Sequence, residues 1–152
     1  MITELIQQAV PFLGTVGITV LEAGAGQGRA TIGNAPGVRN HLGTLHAAAV
    51  FGVAETASGA AVVSVLADRL LPDGDSRAVR AVVSDADINY WRPVRGTVVA
   101  SARLSEVPPE SLTADELIRR RNVSVTVDLA DGDDQAVGVA GFHWIITEEG
   151  PL

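Results

Sequence analysis

Cysteine and lysine are both missing from this chain of 152 residues. Without cysteine there can be no disulfide framework, no thiolate metal site and no cysteine nucleophile. The plain reading is an intracellular, cytoplasmic protein. All 11 basic residues are arginine, set against 18 acidic residues, for a formal net charge of -7. That balance leaves no basic face for nucleic acid, although two or three local arginines can still hold an anion. Aromatic residues make up only 4% of the chain. Met1 to Gln8 carry Glu4 and no basic side chain, and no apolar run follows to a small-residue cleavage site, so no signal peptide is expected. The most apolar stretch, Leu42 to Leu66, is long enough to span a bilayer. It carries Glu55 near its middle, where an ionised group is expensive in lipid. A buried helix running into a strand accounts for the same residues, so no membrane span is expected.

The length suits a single domain, 1–152, with loose ends at 147–152. It is enough chain to bury one core without staples. Ile2, Leu5, Ile6 and Ala9 share helical spacing, which predicts a first helix capped by Thr3 and ended by Pro11. Val16 to Leu21 and Arg29 to Ile32 read as strands. Between them Gly24-Ala25-Gly26-Gln27-Gly28 superficially matches a dinucleotide loop, but it opens onto strand-forming residues and reads as a hairpin turn.

Asn34 to Gly43 is a loop rich in Gly, Pro and Asn. A long helix is expected from Thr44, as its cap, to Ser58, with Gly59 as its terminator and Val62 to Leu66 as a following strand. Asp73-Gly74 signals a turn. Ala78 to Trp91 and Thr97 to Val107 read as strands. Thr113 with Glu116 forms a capping-box pattern ahead of a short helix ending near Arg121. Asn122 to Leu129 alternates Val123, Val125, Val127 and Leu129 with polar residues, a half-buried strand. Asp131 to Asp134 turns the chain, and Ala136 to Ile146 returns as the last strand. A central helix that is small and apolar nearly all round calls for a curved antiparallel sheet to wrap it. The class is α+β.

Glu55 is the only formally charged side chain between Arg39 and Asp68. Its neighbours at i−7, i−3 and i+4 are Ala48, Gly52 and Gly59, so one helix face carries a carboxylate among residues with almost no side chain. These three are the candidates for substrate room. A buried carboxylate without a basic partner within one turn suits a general base or nucleophile. The bland alternative is a structural carboxylate bonded across a subunit interface. Ahead of the helix runs Asn40-His41-Leu42-Gly43-Thr44-Leu45-His46. A helix start offers unpaired N–H donors to a developing oxyanion. Gly43 allows close backbone approach, and Asn40 either positions water and carbonyl or caps the loop. His46 and Glu55 are nine residues apart, about 180° round a helix, so no direct His–Glu pair is expected within one subunit; His46 either joins the site or orders the loop. Arg92, Arg95 and the run Arg119-Arg120-Arg121 are candidates for phosphate contacts. Trp91 and Trp144 read as packing residues. Asp131, Asp133 and Asp134 lack a full calcium-loop pattern, and no metal is expected.

The stretch from Asn40 through His46 and Glu55 to Gly59 resembles the central-helix signature of hotdog thioesterases, in particular the phenylacetate-pathway-like acyl-CoA thioesterases. Ile88-Asn89-Tyr90-Trp91-Arg92-Pro93-Val94-Arg95-Gly96 resembles a strand-and-turn segment of the same family. The resemblance spans residues 11 to 146. It implies a hotdog fold, homodimers or homotetramers with sites at subunit interfaces, and hydrolysis of an acyl-CoA thioester. It places the helix acid on Glu55, the loop Asn on Asn40, the His of the helix start on His46 and the oxyanion N–H on Ala47. Coenzyme A is implied as part of the substrate, with no separate cofactor. Many members carry Gly where this chain has Ala47 and Ala48, whose methyl groups narrow the site. Two other readings are a catalytically silent acyl-thioester binder and a purely structural oligomer.

Overall fold

The computed structural model describes residues 1–70 and 78–149. Helix α1 (Ile2–Ala9) buries Ile6, and its start is held by the Met1 ammonium on Glu4 at 3.0 Å rather than by Thr3, which lies inside the helix. Pro11 does more than end α1. Its fixed φ suits a first helical position, and it opens a second short helix, α2 (Pro11–Val16), closed by Gly17 at φ 78°. Strand β1 (Ile18–Gly24) therefore starts later than Val16. It turns into β2 (Gln27–Ile32) through Ala25 and Gly26 at φ 49° and 73°. Two successive positive φ values are the signature of a tight hairpin turn, so the glycine-rich stretch is a hairpin as expected.

Helix α3 runs from Ala47 to Leu70, far beyond the expected end at Ser58, and takes in Val62 to Leu66, which is helix and not strand. An apolar run with no polar face fits either state on pattern alone. Gly59 does not terminate the helix; it lies within it, under the Trp144 ring. Thr44 is not the cap either. It is buried ahead of the helix and bonded to Asn40, while His46 precedes Ala47 and its Nδ1 accepts the Ala48 N–H at 3.0 Å. Among the described residues α3 is the one helix long and apolar enough to cross a membrane, and 67% of that window is buried inside the fold.

Strands β3 (Ala78–Tyr90), β4 (Val98–Ser105), β5 (Asn122–Asp131) and β6 (Ala136–Glu149) follow, with helix α4 (Ala114–Arg120) between β4 and β5. The Thr113 hydroxyl caps α4 by accepting the Glu116 N–H at 3.2 Å. The reciprocal half of the box is not made: Thr113 N–H bonds Ser111, and the Glu116 carboxylate takes Arg119 and Arg120. Val123, Val125, Val127 and Leu129 are buried as their alternation predicts. β6 continues in register to Glu149, past Thr147 where a loose tail was expected. The Asp73-Gly74 turn and residues 150–152 lie outside the described residues.

All six strands pair antiparallel in the order β1-β2-β4-β5-β6-β3, one sheet curled around α3. Val53, Ala54, Ala57, Ala60, Ala61 and Leu66 bury their side chains against it. Small helix residues let the sheet come close. The tightest approach is Gly28 on β2, where a Cβ would meet the Ala57 carbonyl oxygen and lie 2.6 Å from Ala61 N. The two sheet edges differ. Gln7 of α1 covers β1, accepting Val20 N–H and donating to Ile18 O, both at 2.9 Å. The opposite edge is the 13-residue β3.

Candidate active site

Glu55 sits on the third turn of α3, half-buried, with no hydrogen bond or ion pair to its carboxylate among the described residues. Burial without a compensating partner lifts it above the ordinary carboxylate value. Two aromatic contacts fix its surroundings. Phe51, one turn before it, packs on Phe142 with ring centres 5.4 Å apart. Ser58 and Gly59, one turn after it, both touch Trp144, whose Nε1–H donates to Ser58 Oγ at 3.2 Å. Ser58 Oγ in turn donates to the Glu55 carbonyl oxygen at 2.8 Å. The room expected over the small residues is limited by this chain: Trp144 bounds the space at Gly59, and Phe12 and Ile18 bound that at Gly52. Ala48 alone of the three stays exposed.

The loop ahead of α3 is held by Asn40. Its Oδ1 accepts the N–H groups of Leu42 and Thr44 at 3.0 and 3.1 Å, and its Nδ2 donates to Thr44 Oγ1 at 2.7 Å. Within this chain Asn40 orders the loop, and one Nδ2 proton is left for a ligand. Gly43, at φ 75°, closes the turn by donating to the Asn40 carbonyl at 3.1 Å. His46 accepts at Nδ1, which puts its proton on Nε2. The Ala47 N–H, first in a 24-residue helix, has no partner among the described residues. Ala47 lines a cleft of about 310 Å³ together with Asn40, Tyr90, Trp91, Arg92 and Val137. This is the geometry that accepts an oxygen carrying negative charge.

Sequence reasoning gave Tyr90 no role, yet its hydroxyl donates to the Ala47 carbonyl oxygen at 3.1 Å, and burial raises its pKa, keeping it a donor. Its place at the end of β3, next to the turn at Pro93, was the available signal. Trp91 is 60% exposed and lines the cleft instead of packing, whereas Trp144 is 7% exposed and does pack.

The arginines separate into two groups. Arg92, on the cleft wall, bonds Gln135, and Arg95 reaches the Leu42 carbonyl beside Gly43. Arg119 and Arg120 are held by Glu116, whose carboxyl they keep down at about 2. Their helix is tied to the far end of α3 by Arg69–Asp115 at 2.8 Å, roughly 33 Å along the axis from Ala47. Arg121 closes α4 at φ 62°. These three cannot join the Ala47 cleft of their own chain. Glu55 too is about 12 Å along the axis from Ala47. The described residues hold no cluster of three His, Asp or Glu that could bind a metal, and Asp131 instead ties its own turn by accepting Asp133 and Gln135 N–H.

A family model described as a domain of unknown function, DUF4442, matches residues 1–146. No curated protein matches the chain in sequence. Among solved structures the chain is similar to the E. coli PaaI protein from the phenylacetic acid degradation operon, with a TM-score of 0.73 and 16% identity over 97% of this chain and 91% of that one. A Pseudomonas aeruginosa protein described as a probable thioesterase gives 0.73 and 20% identity over 97% and 94%. A thioesterase from Haemophilus influenzae gives 0.71 and 19% over 97% and 91%. Likeness at these identities establishes architecture. The chain belongs to the DUF4442 family and has the hotdog fold of these solved structures.

Proposed function

We propose that the protein hydrolyses acyl-CoA-type thioesters to a free acid and a thiol, with Glu55 as the reacting carboxylate. The observation that carries this reading is the half-buried, unpartnered Glu55 on the central helix of a hotdog fold. A carboxylate raised by burial is a stronger proton acceptor than a solvated one. As general base it takes a proton from water, and the oxygen attacks the thioester carbonyl carbon. As nucleophile it attacks that carbon itself and gives an anhydride that water then opens. In both routes the C–S bond breaks and the sulfur leaves as thiol, taking a proton.

The carbonyl oxygen is assigned to the free Ala47 N–H, with Asn40 Nδ2 beside it. Because Ala47 and Glu55 of one chain stand about 12 Å apart along the axis, one thioester is served by Glu55 of one protomer and the Asn40–Ala47 loop of another. A homo-oligomer joined through the open β3 edge suits this arrangement, since Gln7 already blunts β1. Arg92 and Arg95, with exposed Trp91 next to them, are assigned to the phosphates and base of the CoA moiety.

The test is thiol release from short, medium, long and aromatic acyl-CoAs with native protein and Glu55→Ala. Turnover that drops at least about 100-fold in the variant is expected. A folded native protein that turns over none of them would refute the hydrolase reading and leave a binder. Turnover that survives Glu55→Ala would keep the activity and remove Glu55 from its centre.

A further inference from the structure

The chain has six aromatic side chains, and four of them pack at the helix positions one turn either side of Glu55. On an α-helix the neighbours one turn away, at i±3 and i±4, share a face with the central residue. For Glu55 these are Phe51 and Gly52 on one side and Ser58 and Gly59 on the other. Each pair is closed by rings. A Cβ at Gly52 would stand 3.4 Å from the Phe12 ring of α2, and Phe51 is itself a ring packed at a tilt of 56° on Phe142. A Cβ at Gly59 would stand 3.3 Å from the far edge of the Trp144 indole, and that ring is fixed by its bond to Ser58. The room at the two glycines is thus no deeper than about a methyl group, walled by a ring at each end of a stretch centred on the carboxylate.

We infer that Phe12 and Trp144 act as end-stops of the acyl site, so that the substrates are thioesters of short acyl groups, up to about six carbons. The inference rests on the hydrolase reading above. One helical turn is about 5.4 Å, the span of roughly four to five extended carbon–carbon bonds of ~1.5 Å. An acyl chain whose carbonyl sits at Glu55 meets the Phe12 ring within one turn toward the helix start and the Trp144 ring within one turn toward its end. The two stops differ in how they are held. Phe12 is 51% exposed and packs only from α2, whereas Trp144 is buried, hydrogen-bonded through Nε1 and wedged on Gly59. Trp144 is the rigid stop and Phe12 the yielding one.

The experiment measures kcat/KM for saturated acyl-CoAs from acetyl to palmitoyl, using native protein, Phe12→Ala and Trp144→Phe. Phe12 is half-exposed, so its truncation leaves the core intact. Trp144→Phe keeps a ring in the core while withdrawing the second ring from Gly59. Native kcat/KM is expected to fall at least about tenfold between hexanoyl- and decanoyl-CoA, because carbons past the ring wall enter only by displacing a packed side chain. At least one variant is expected to recover about tenfold or more on decanoyl-CoA by opening that wall. Native protein that cleaves decanoyl- and palmitoyl-CoA as well as butyryl-CoA, or two folded variants with the native length profile, would overturn the end-stops and leave the hydrolase reading standing. Absence of turnover for every acyl-CoA by folded native protein would instead remove the hydrolase reading, and this inference with it.

Discussion

Tyr90, the last residue of β3, is hydrogen-bonded through its hydroxyl to the carbonyl oxygen of Ala47, the first residue of α3, at 3.1 Å. The bond ties the start of the central helix to the end of an edge strand 43 positions away in sequence. It holds the peptide next to the free Ala47 N–H. Tyr90→Phe removes this tether and little else. Stability is expected to drop by about 1 kcal/mol or less in urea melts, the usual net worth of one such bond. If the Ala47 N–H receives the thioester oxygen, kcat falls by about tenfold with a smaller change in KM, because donor placement matters most in the transition state. An unchanged kcat would show that the tether serves the fold alone.

The unpartnered Glu55 carboxylate makes opposite demands on activity and stability. Its folded pKa is raised by desolvation, so the folded state holds the proton more tightly than the unfolded chain. The stability linked to this group is fully present below the unfolded carboxylate value and is lost as pH rises through the folded one. Glu55→Gln removes that loss. The variant is expected to melt higher than native protein at pH 7, with the gap closing toward pH 4, while its hydrolysis is reduced at least about 100-fold. Melting curves at the two pH values decide the first half; a Gln variant that melts lower at pH 7 would mean that the carboxylate has a partner in the assembly.

The pH–rate profile follows from the same shift. Both proposed routes need ionised Glu55, so kcat/KM should fall on the acid side with a midpoint above that of an ordinary carboxylate. A midpoint at or below the ordinary value would contradict a desolvated base.

Asn40 makes three side-chain bonds inside its own loop. Asn40→Ala is expected to lower stability by about 1–3 kcal/mol, three modest bonds in a half-buried setting, and to raise proteolysis of the segment 40–46. Limited proteolysis with a urea melt measures both. An intact, protease-resistant loop would show that backbone bonds such as Asn40 N–H to Thr44 O suffice.

Gly28→Ala tests how closely the sheet wraps the helix. The added methyl meets the Ala57 carbonyl and lies 2.8 Å from Ala60 Cβ, both on a rigid helix. Overpacking of this kind costs about 1–3 kcal/mol, and backbone on both sides puts this site at the upper end. Thermal melting reads it directly; a neutral substitution would mean that β2 and α3 slide apart freely.

Local patterns reach two residues along a strand and one turn along a helix. What lies within that reach was legible in the sequence. The alternation of Val123, Val125, Val127 and Leu129 set the buried face of β5. The Ala25-Gly26 turn and the solitary acid at Glu55 could be read the same way, and the resemblance of the 40–59 stretch supplied the architecture. Tertiary structure decided the rest. The end of α3 was not legible because a run that is apolar on every side carries no period, and only wrapping by the sheet keeps Val62 to Leu66 helical. The space at Gly59 was bounded from 85 positions away by Trp144. The arginines at 119–121 were carried to the far end of the helix by a chain that crosses the sheet in between. The sequence by itself determined which side chains could do chemistry. Which of them stand together, and which spaces beside them stay open, depended on contacts between strands and helix distant in the chain.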